Sequence, residues 1–268
     1  MEKFEFITVD AIDDITLEQL KSLRECGFCY IKIPEKLESM LTNLSLVGED
    51  YFSRSEAEKQ QFPHSMGVSN EGYLNHKIRG TDNIQRYVYH GNKLVEPFLD
   101  KANLINYARD YFREKIGRVV IKKIFADAGI LDHYADVIKD GSASLSFICY
   151  PLPSGGLKAH KDTVLVTVLF ITKPGLEVYI EQFGWQEVKP KPGYLVLNVG
   201  NSLELMTAGR YRSALHRVRE SHDSRLSIAS FIGPNPAIPL INYITGQQLY
   251  ANFATFAIEQ HKIIYPGL

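Results

Sequence analysis

Cysteine is scarce in this chain: Cys26, Cys29 and Cys149 are its three examples among 268 residues. So small and odd a number cannot build a disulfide framework, and it points to a reducing compartment. Cys26-Gly27-Phe28-Cys29 has the C-x-x-C form, but a redox pair wants its first thiol at a helix N-terminus, and here the motif closes a helix instead. No second C-x-x-C completes a zinc site, so both thiols are expected to be structural. Long apolar runs are missing as well. No stretch approaches the ~18 residues of a membrane-spanning helix, and Met1-Glu2-Lys3-Phe4-Glu5 lacks the apolar region of a signal peptide. Neither sign of charge is in excess: 30 basic and 31 acidic side chains leave a net charge of −1, so no summed field draws the chain to nucleic acid or to an anionic membrane. Internal repeats and low-complexity tracts are absent too. These absences lead to the expectation of a cytoplasmic, soluble monomer whose partner is a small, roughly neutral molecule.

Two kinds of local pattern divide the chain. Up to about residue 140 helical periods dominate. Thr16 with Gln19 forms a capping-box pattern that opens a helix ending at Gly27, and Leu37, Met40, Leu41, Leu44, Val47 and Tyr51 recur at helical spacing over Leu37 to Phe52. The polar stretch that follows, S-R-S-E-A-E-K-Q-Q, reads as a solvated helix face. Residues 63 to 97 carry several glycines with Tyr73, Tyr87 and Tyr89 among polar residues, and read as loop and edge strand. Residues 98 to 139 return to helical period. From Ala143 onward, short apolar runs alternate with turns: S-L-S-F-I-C-Y, L-V-T-V-L-F-I-T, L-E-V-Y-I, G-Y-L-V-L-N-V and R-L-S-I-A-S-F-I-G. Such even spacing predicts a mainly β fold with flanking helices, its core a double-sheet jelly roll, also called a double-stranded β-helix. The expected organisation is an amino-terminal α/β module (1–140) packed on a catalytic jelly-roll core (141–235), with a carboxy-terminal amphipathic helix over Thr245 to His261 in the last segment (236–268), all in one structural unit.

Within that core, His160, Asp162 and His216 have the residue types and spacing of a two-His-one-carboxylate metal site. Residues two apart on an extended strand share a face, so His160 and Asp162 can both turn inward while Lys161 points away. His216 lies in a later strand that can pair alongside. Three ligands on one side of a metal leave the opposite positions open, as a non-haem Fe(II) requires to hold a chelating cosubstrate and O2. Arg225 and Ser227 share a strand face, and a guanidinium beside a hydroxyl suits a carboxylate. The other histidines show no partner at ligand spacing.

These residues resemble the iron- and 2-oxoglutarate-dependent dioxygenases, in the branch similar to isopenicillin N synthase and the plant flavonoid, gibberellin and ethylene-forming oxidases. The resemblance extends over P-G-Y-L-V-L-N-V-G-N-S-L-E-L-M-T-A-G-R-Y-R-S-A-L-H-R-V, Pro192 to Val218, over Tyr150-Pro151, and over C-G-F-C-Y-I-K-I and Asp50 to Phe62. It implies Fe(II) on His160, Asp162 and His216, the catalytic ligands, with 2-oxoglutarate held by Arg225, Ser227 and Tyr150 and with O2 as co-oxidant. It further implies release of succinate and CO2 as a small metabolite is hydroxylated, desaturated or cyclised. Where many relatives read N-Y-Y-P, this chain reads Ile148-Cys149-Tyr150-Pro151. Candidates for the substrate pocket are Tyr73, Arg79, Arg86, Phe147 and Phe231, the two arginines as receivers of an acidic group. Two alternatives keep the same triad: an Fe(II) oxidase that does not use 2-oxoglutarate, and a non-catalytic ligand-binding protein.

Overall fold

A computed structural model describes residues 4–64, 71–77, 83–152, 156–220 and 222–264. The chain begins with strand β1 (Thr8–Val9) and helix α1 (Leu17–Cys26), where the Thr16–Gln19 capping box forms in both directions. Gly27 then takes a left-handed conformation (φ 69°) to end the helix, at a point where a Cβ would collide with the Arg212 carbonyl. Strand β2 (Phe28–Lys32) follows at once, so the short helix is locked between two strands. Helix α2 (Glu35–Ser53) buries Leu37, Leu41, Leu44 and Tyr51, close to the periodic face expected of it. The polar stretch after it folds as a short helix α3 (Glu56–Lys59) capped by Ser55 and Glu58. It is not wholly solvated. Lys59 is buried, with its Nζ donating to Gln85 Oε1 at 3.0 Å and lying over the Tyr73 ring.

Two strands, β3 (Gly72–Asn75) and β4 (Gln85–Tyr89), precede a helical stretch of α4 (Ala102–Asp110), a π-helical turn (Tyr111–Gly117) and α5 (Arg118–Asp127), and then a short α6 (Tyr134–Ile138). The strand-rich part supplies β5 (Ala143–Tyr150), β6 (Leu157–His160), β7 (Val166–Ile171), β8 (Leu176–Ile180), β9 (Gly184–Val188), β10 (Tyr194–Val199), helix α7 (Asn201–Met206), β11 (His216–Val218) and β12 (Arg225–Ile232). These strands make the two sheets of a jelly roll. The major sheet runs β1-β2-β10-β7-β12-β5-β4-β3 and the minor sheet β6-β11-β8-β9. The amino-terminal segment therefore extends the major sheet at both edges: β2 pairs with β10, and β4 with β5.

Alternation along the strands assigns the two faces of the major sheet. Leu226, Ile228 and Ile232 of β12 and Phe147 of β5 join the large core that includes Leu41 and Leu44 of α2, Ile105 of α4 and Ile124 of α5. Ile148, Tyr150 and Ala229 turn the other way, toward Leu157 of the minor sheet. The cavity described below lies between the sheets. After β12 the chain makes a hairpin, β13 (Leu240–Asn242) and β14 (Gln247–Tyr250), before α8 (Phe253–Ile264). The apolar spacing predicts helix already from Thr245. Instead, Asn242 Oδ1 accepts the Ile244 and Thr245 amides at 3.1 Å each, a side-chain-stabilised turn that places Leu249 on a strand while Phe253 and Phe256 keep the buried helical face. All three cysteines are free and buried, and among the described residues no helix is long and apolar enough to cross a membrane.

Candidate metal centre

His160 and His216 face each other as register partners on the antiparallel pair β6–β11, and Asp162 follows two residues beyond the end of β6. Asp162 Oδ1 lies 3.7 Å from His160 Nε2 and 3.8 Å from His216 Nε2, so three ligand atoms converge within 4.8 Å of one another. Both imidazoles are oriented in the same way. His160 Nδ1 is 2.8 Å from the Lys158 carbonyl and His216 Nδ1 is 3.0 Å from the Ala214 carbonyl, in each case two residues back. A carbonyl only accepts, so each Nδ1 carries the proton and each Nε2 presents its lone pair to the convergence point. Burial, then the neighbouring His216, pulls the His160 pKa down to about 4, with Arg86 adding to the effect, which keeps this ring neutral near pH 7.

Asp162 is held from the opposite side. Its Oδ2 accepts from Thr167 Oγ1 at 2.6 Å and from Asn198 Nδ2 at 2.9 Å, leaving Oδ1 to face the two histidines. Burial alone would raise its pKa, but His216, His160 and these two donors outweigh that, and the carboxyl stays below its ordinary value. Thr167 and Asn198 stand in register on β7 and β10, and Asn198 pairs in turn with Phe28 on β2, whose ring packs edge-on against His216 at 5.8 Å. Two neutral imidazole nitrogens and one carboxylate oxygen, each backed by a hydrogen bond, fit a divalent first-row metal with positions left open.

At the other end of the cavity Arg225 pairs in register with Tyr150, and its guanidinium lies 4.6 Å from the centre of that ring. Nη1 donates to the Pro174 carbonyl at 2.9 Å and Nη2 to the Arg219 carbonyl, while the buried Nε has no hydrogen-bond partner. A guanidinium has five N–H donors, so two bonds to carbonyls anchor it and three remain, the buried Nε–H among them. Such an unsatisfied buried donor beside the Ser227 hydroxyl fits a carboxylate ligand. Gly175 makes room for this arrangement: it sits at φ +127°, and a Cβ there would collide with Arg225 Nη1. Burial draws the Arg225 pKa below the ordinary arginine value, as an uncompensated cation in a half-apolar site requires.

One cavity joins the two groups: His160, Asp162, His216, Tyr150, Arg225 and Ser227 all line it. Of the substrate candidates, Arg86 and Phe231 line it too, with the Arg86 guanidinium 5.6 Å from the Phe231 ring centre. Phe147 and Tyr73 lie elsewhere. Phe147 packs against Phe98, ring centres 4.5 Å apart, on the helix-covered face, and Tyr73 donates to Glu56 Oε2 at 3.0 Å and packs beside Tyr51. Arg79 lies outside the described residues. Sequence reasoning missed Thr167, Asn198 and Phe28. A polar residue inside each of two otherwise apolar strand runs was the available signal for the first two; nothing local marks Phe28. Ile148, at the position where the resemblance commonly has Asn, faces the cavity as an apolar wall.

Comparison with known proteins gives concordant findings. The family model described as the 2OG-Fe(II) oxygenase superfamily matches residues 142–234. A 1-aminocyclopropane-1-carboxylate oxidase 3 from Cucumis melo is 34% identical over 275 residues, covering 97% of this chain and 77% of that protein. Gibberellin 3-beta-dioxygenase 2 from Arabidopsis thaliana is 44% identical over 125 residues, 41% of this chain, and the match spans only 36% of that relative's length. Among solved structures, JOX2 in complex with 2OG, Fe and JA superposes with a TM-score of 0.78 at 19% identity, covering 97% of this chain and 85% of the other. The dioxygenase for auxin oxidation 1 from Arabidopsis thaliana, in a binary complex with 2-oxoglutarate, gives 0.67 at 20% identity, covering 86% and 93%. At these identities the structural likeness concerns the fold.

Proposed function

The chain belongs to the 2OG-Fe(II) oxygenase superfamily, and from that premise we propose that it is an Fe(II)- and 2-oxoglutarate-dependent dioxygenase that hydroxylates, desaturates or cyclises a small metabolite. The observation that carries the reading is the convergence of His160 Nε2, His216 Nε2 and Asp162 Oδ1, in one cavity with the partly satisfied guanidinium of Arg225. When bound, Fe(II) with 2-oxoglutarate and O2 supplies the oxidising power, and succinate and CO2 leave as the cosubstrate's products.

The chain's own residues supply orientation and exclusion of water. His160 and His216 keep their Nε2 lone pairs aimed inward because backbone carbonyls hold their Nδ1 protons. Asp162 offers a single negative oxygen because Thr167 and Asn198 occupy the other. Arg225 and Ser227, with Tyr150 stacked on the guanidinium, would take the distal carboxylate of 2-oxoglutarate. Phe231, Ile148 and Leu157 wall the cavity with apolar surface and keep water from the reacting atoms. Residues 141–235 would act as the catalytic core, with 1–140 packed on it and 236–268 closing one side. A cytoplasmic monomer is the state we propose; three buried, unpaired thiols support the reducing compartment.

Reconstitution with Fe(II) under anaerobic conditions, followed by addition of 2-oxoglutarate and O2, should yield succinate, and a screen of small metabolites should find compounds that stimulate its release. The similarity to a 1-aminocyclopropane-1-carboxylate oxidase across 97% of this chain favours one other reading, an Fe(II) oxidase of the same fold that does not consume 2-oxoglutarate. O2-dependent oxidation of a metabolite with no succinate formed would establish that alternative and overturn the first.

A further inference from the structure

The three candidate metal ligands are held by two different parts of the fold. His160 and His216 belong to the minor sheet, where β6 and β11 pair. Asp162 lies beyond the end of β6, and there the chain leaves the sheet and leans on the start of α7. The Asn201 amide donates to the Asp162 carbonyl at 2.6 Å, the Ser202 amide and hydroxyl donate to the Thr163 carbonyl, and the Gly200 amide donates to the Leu165 carbonyl at 2.8 Å. The backbones approach so closely that a Cβ on Gly200 would collide with the Val164 carbonyl.

Lys161 is the joint between these two supports. Because His160 is tied to a sheet and Asp162 to a helix, the backbone torsions of the residue between them set how the two ligands stand to each other. The Lys161 side chain runs to α7, where Nζ donates to Glu204 Oε2 at 2.6 Å, and neither residue lines the cavity. The Glu204 side chain is only 19% exposed and that of Lys161 37%, so the pair is partly sheltered from water. Exposed ion pairs add little to stability, and this one matters less for its own energy than for what it fixes.

We infer that Lys161 and Glu204 are positioning residues for the metal centre: their ion pair pins the joint between His160 and Asp162 to α7 and sets the ligand geometry without touching the metal. The inference rests on the reading of the triad as a metal centre. The sign of each charge separates positioning from a plain field effect. Removing the lysine takes a positive charge from the neighbourhood of a bound cation and leaves Glu204 unpaired, so the field alone would tighten metal binding. Removing the Glu204 charge would loosen it by the same logic. Positioning requires that both changes loosen it.

The test is a titration of the full chain, freed of metal, with Co(II), followed by its visible d–d absorption, with melting curves of each apoprotein alongside. Lys161→Met and Glu204→Gln should each weaken binding about tenfold and change the position and intensity of the bands, while the melting curves stay close to wild type. The double variant should bind little worse than either single one, because both changes break the same pair, and Lys161→Arg, which keeps the pair, should retain most of the affinity. Unchanged or tighter Co(II) binding by Lys161→Met, additive losses in the double variant, or an equal loss in Lys161→Arg would overturn the inference. The wild type separates the two readings. If it takes up no Co(II), the metal reading falls and the inference with it; if it binds Co(II) and Lys161→Met binds equally well, the inference falls and the metal centre stands.

Discussion

On the outer face of the major sheet, Phe147 packs at a tilt against Phe98, which also meets Tyr51 at 4.8 Å and Tyr87 at 4.6 Å, and all four rings are buried. One residue further along the same strand, Ile148 turns to the inner face, where Tyr150, Arg225, Ser227 and Thr167 border an open cavity. The outer face is apolar and closely filled. The cavity that the inner face borders buries Asp162, Asn198 and Arg225, groups whose desolvation is costly and is only partly returned by their hydrogen bonds. The difference teaches that stability is carried on the helix-covered side of the major sheet and chemistry in the cavity between the two sheets, with the dry aromatic side offsetting what the polar cavity costs.

If that division holds, loss of function and loss of stability should separate by face. The largest effect should come from the cavity, at its minor-sheet wall: His160→Ala, Asp162→Ala or His216→Ala should each reduce 2-oxoglutarate-dependent turnover below detection, because two ligands bind iron weakly and leave its geometry undefined. Thermal melting of the apoprotein should shift little. Full turnover in any of the three would break the metal assignment. On the outer face, Phe147→Ala should destabilise by about 3–5 kcal/mol through the cavity it opens against Phe98. Denaturant unfolding measures that, and succinate formed per folded molecule should remain near wild type; a selective loss of activity would mean that the faces are coupled.

Arg225→Gln sharpens the inner side. With the iron ligands intact, the Kd for 2-oxoglutarate should rise about a hundredfold or more, since breaking one side of a shielded ion pair costs about 3–5 kcal/mol. Monocarboxylic 2-oxo acids such as 2-oxobutyrate should then compete better, and CO2 release from each compound tests it. An unchanged affinity and preference would remove Arg225 as the clamp. The smallest effect is expected at Thr167→Val, which takes one donor from Asp162 Oδ2 and leaves Asn198. Metal affinity should fall about tenfold in a chelator-competition titration, the lower end for a residue that orients a ligand.

Much of the site could be read from spacing. The i, i+2 relation of His160 to Asp162 and of Arg225 to Ser227 requires only that the chain be extended, and both pairs face the cavity. Tyr150 also lines it. The carboxy-terminal segment was less legible, because Asn242 and Gly246 close a hairpin within a stretch whose apolar residues also satisfy a helical period.

What the sequence determined by itself was therefore local: which residues alternate, which share a face, where α1 begins and ends, and which side chains have the chemistry of metal and anion ligands. Which face looks into the cavity was decided only by the tertiary structure. In β5 all eight residues from Ala143 to Tyr150 are buried, on one side by helices and on the other by the minor sheet, so both faces carry apolar residues and no pattern separates Phe147 from Ile148. Pairing settled the matter. The register that sets Arg86 beside Ile148 and Ser227, and Thr167 beside Asn198, brings together residues more than thirty positions apart, and a one-residue slip would send each of them to the other side.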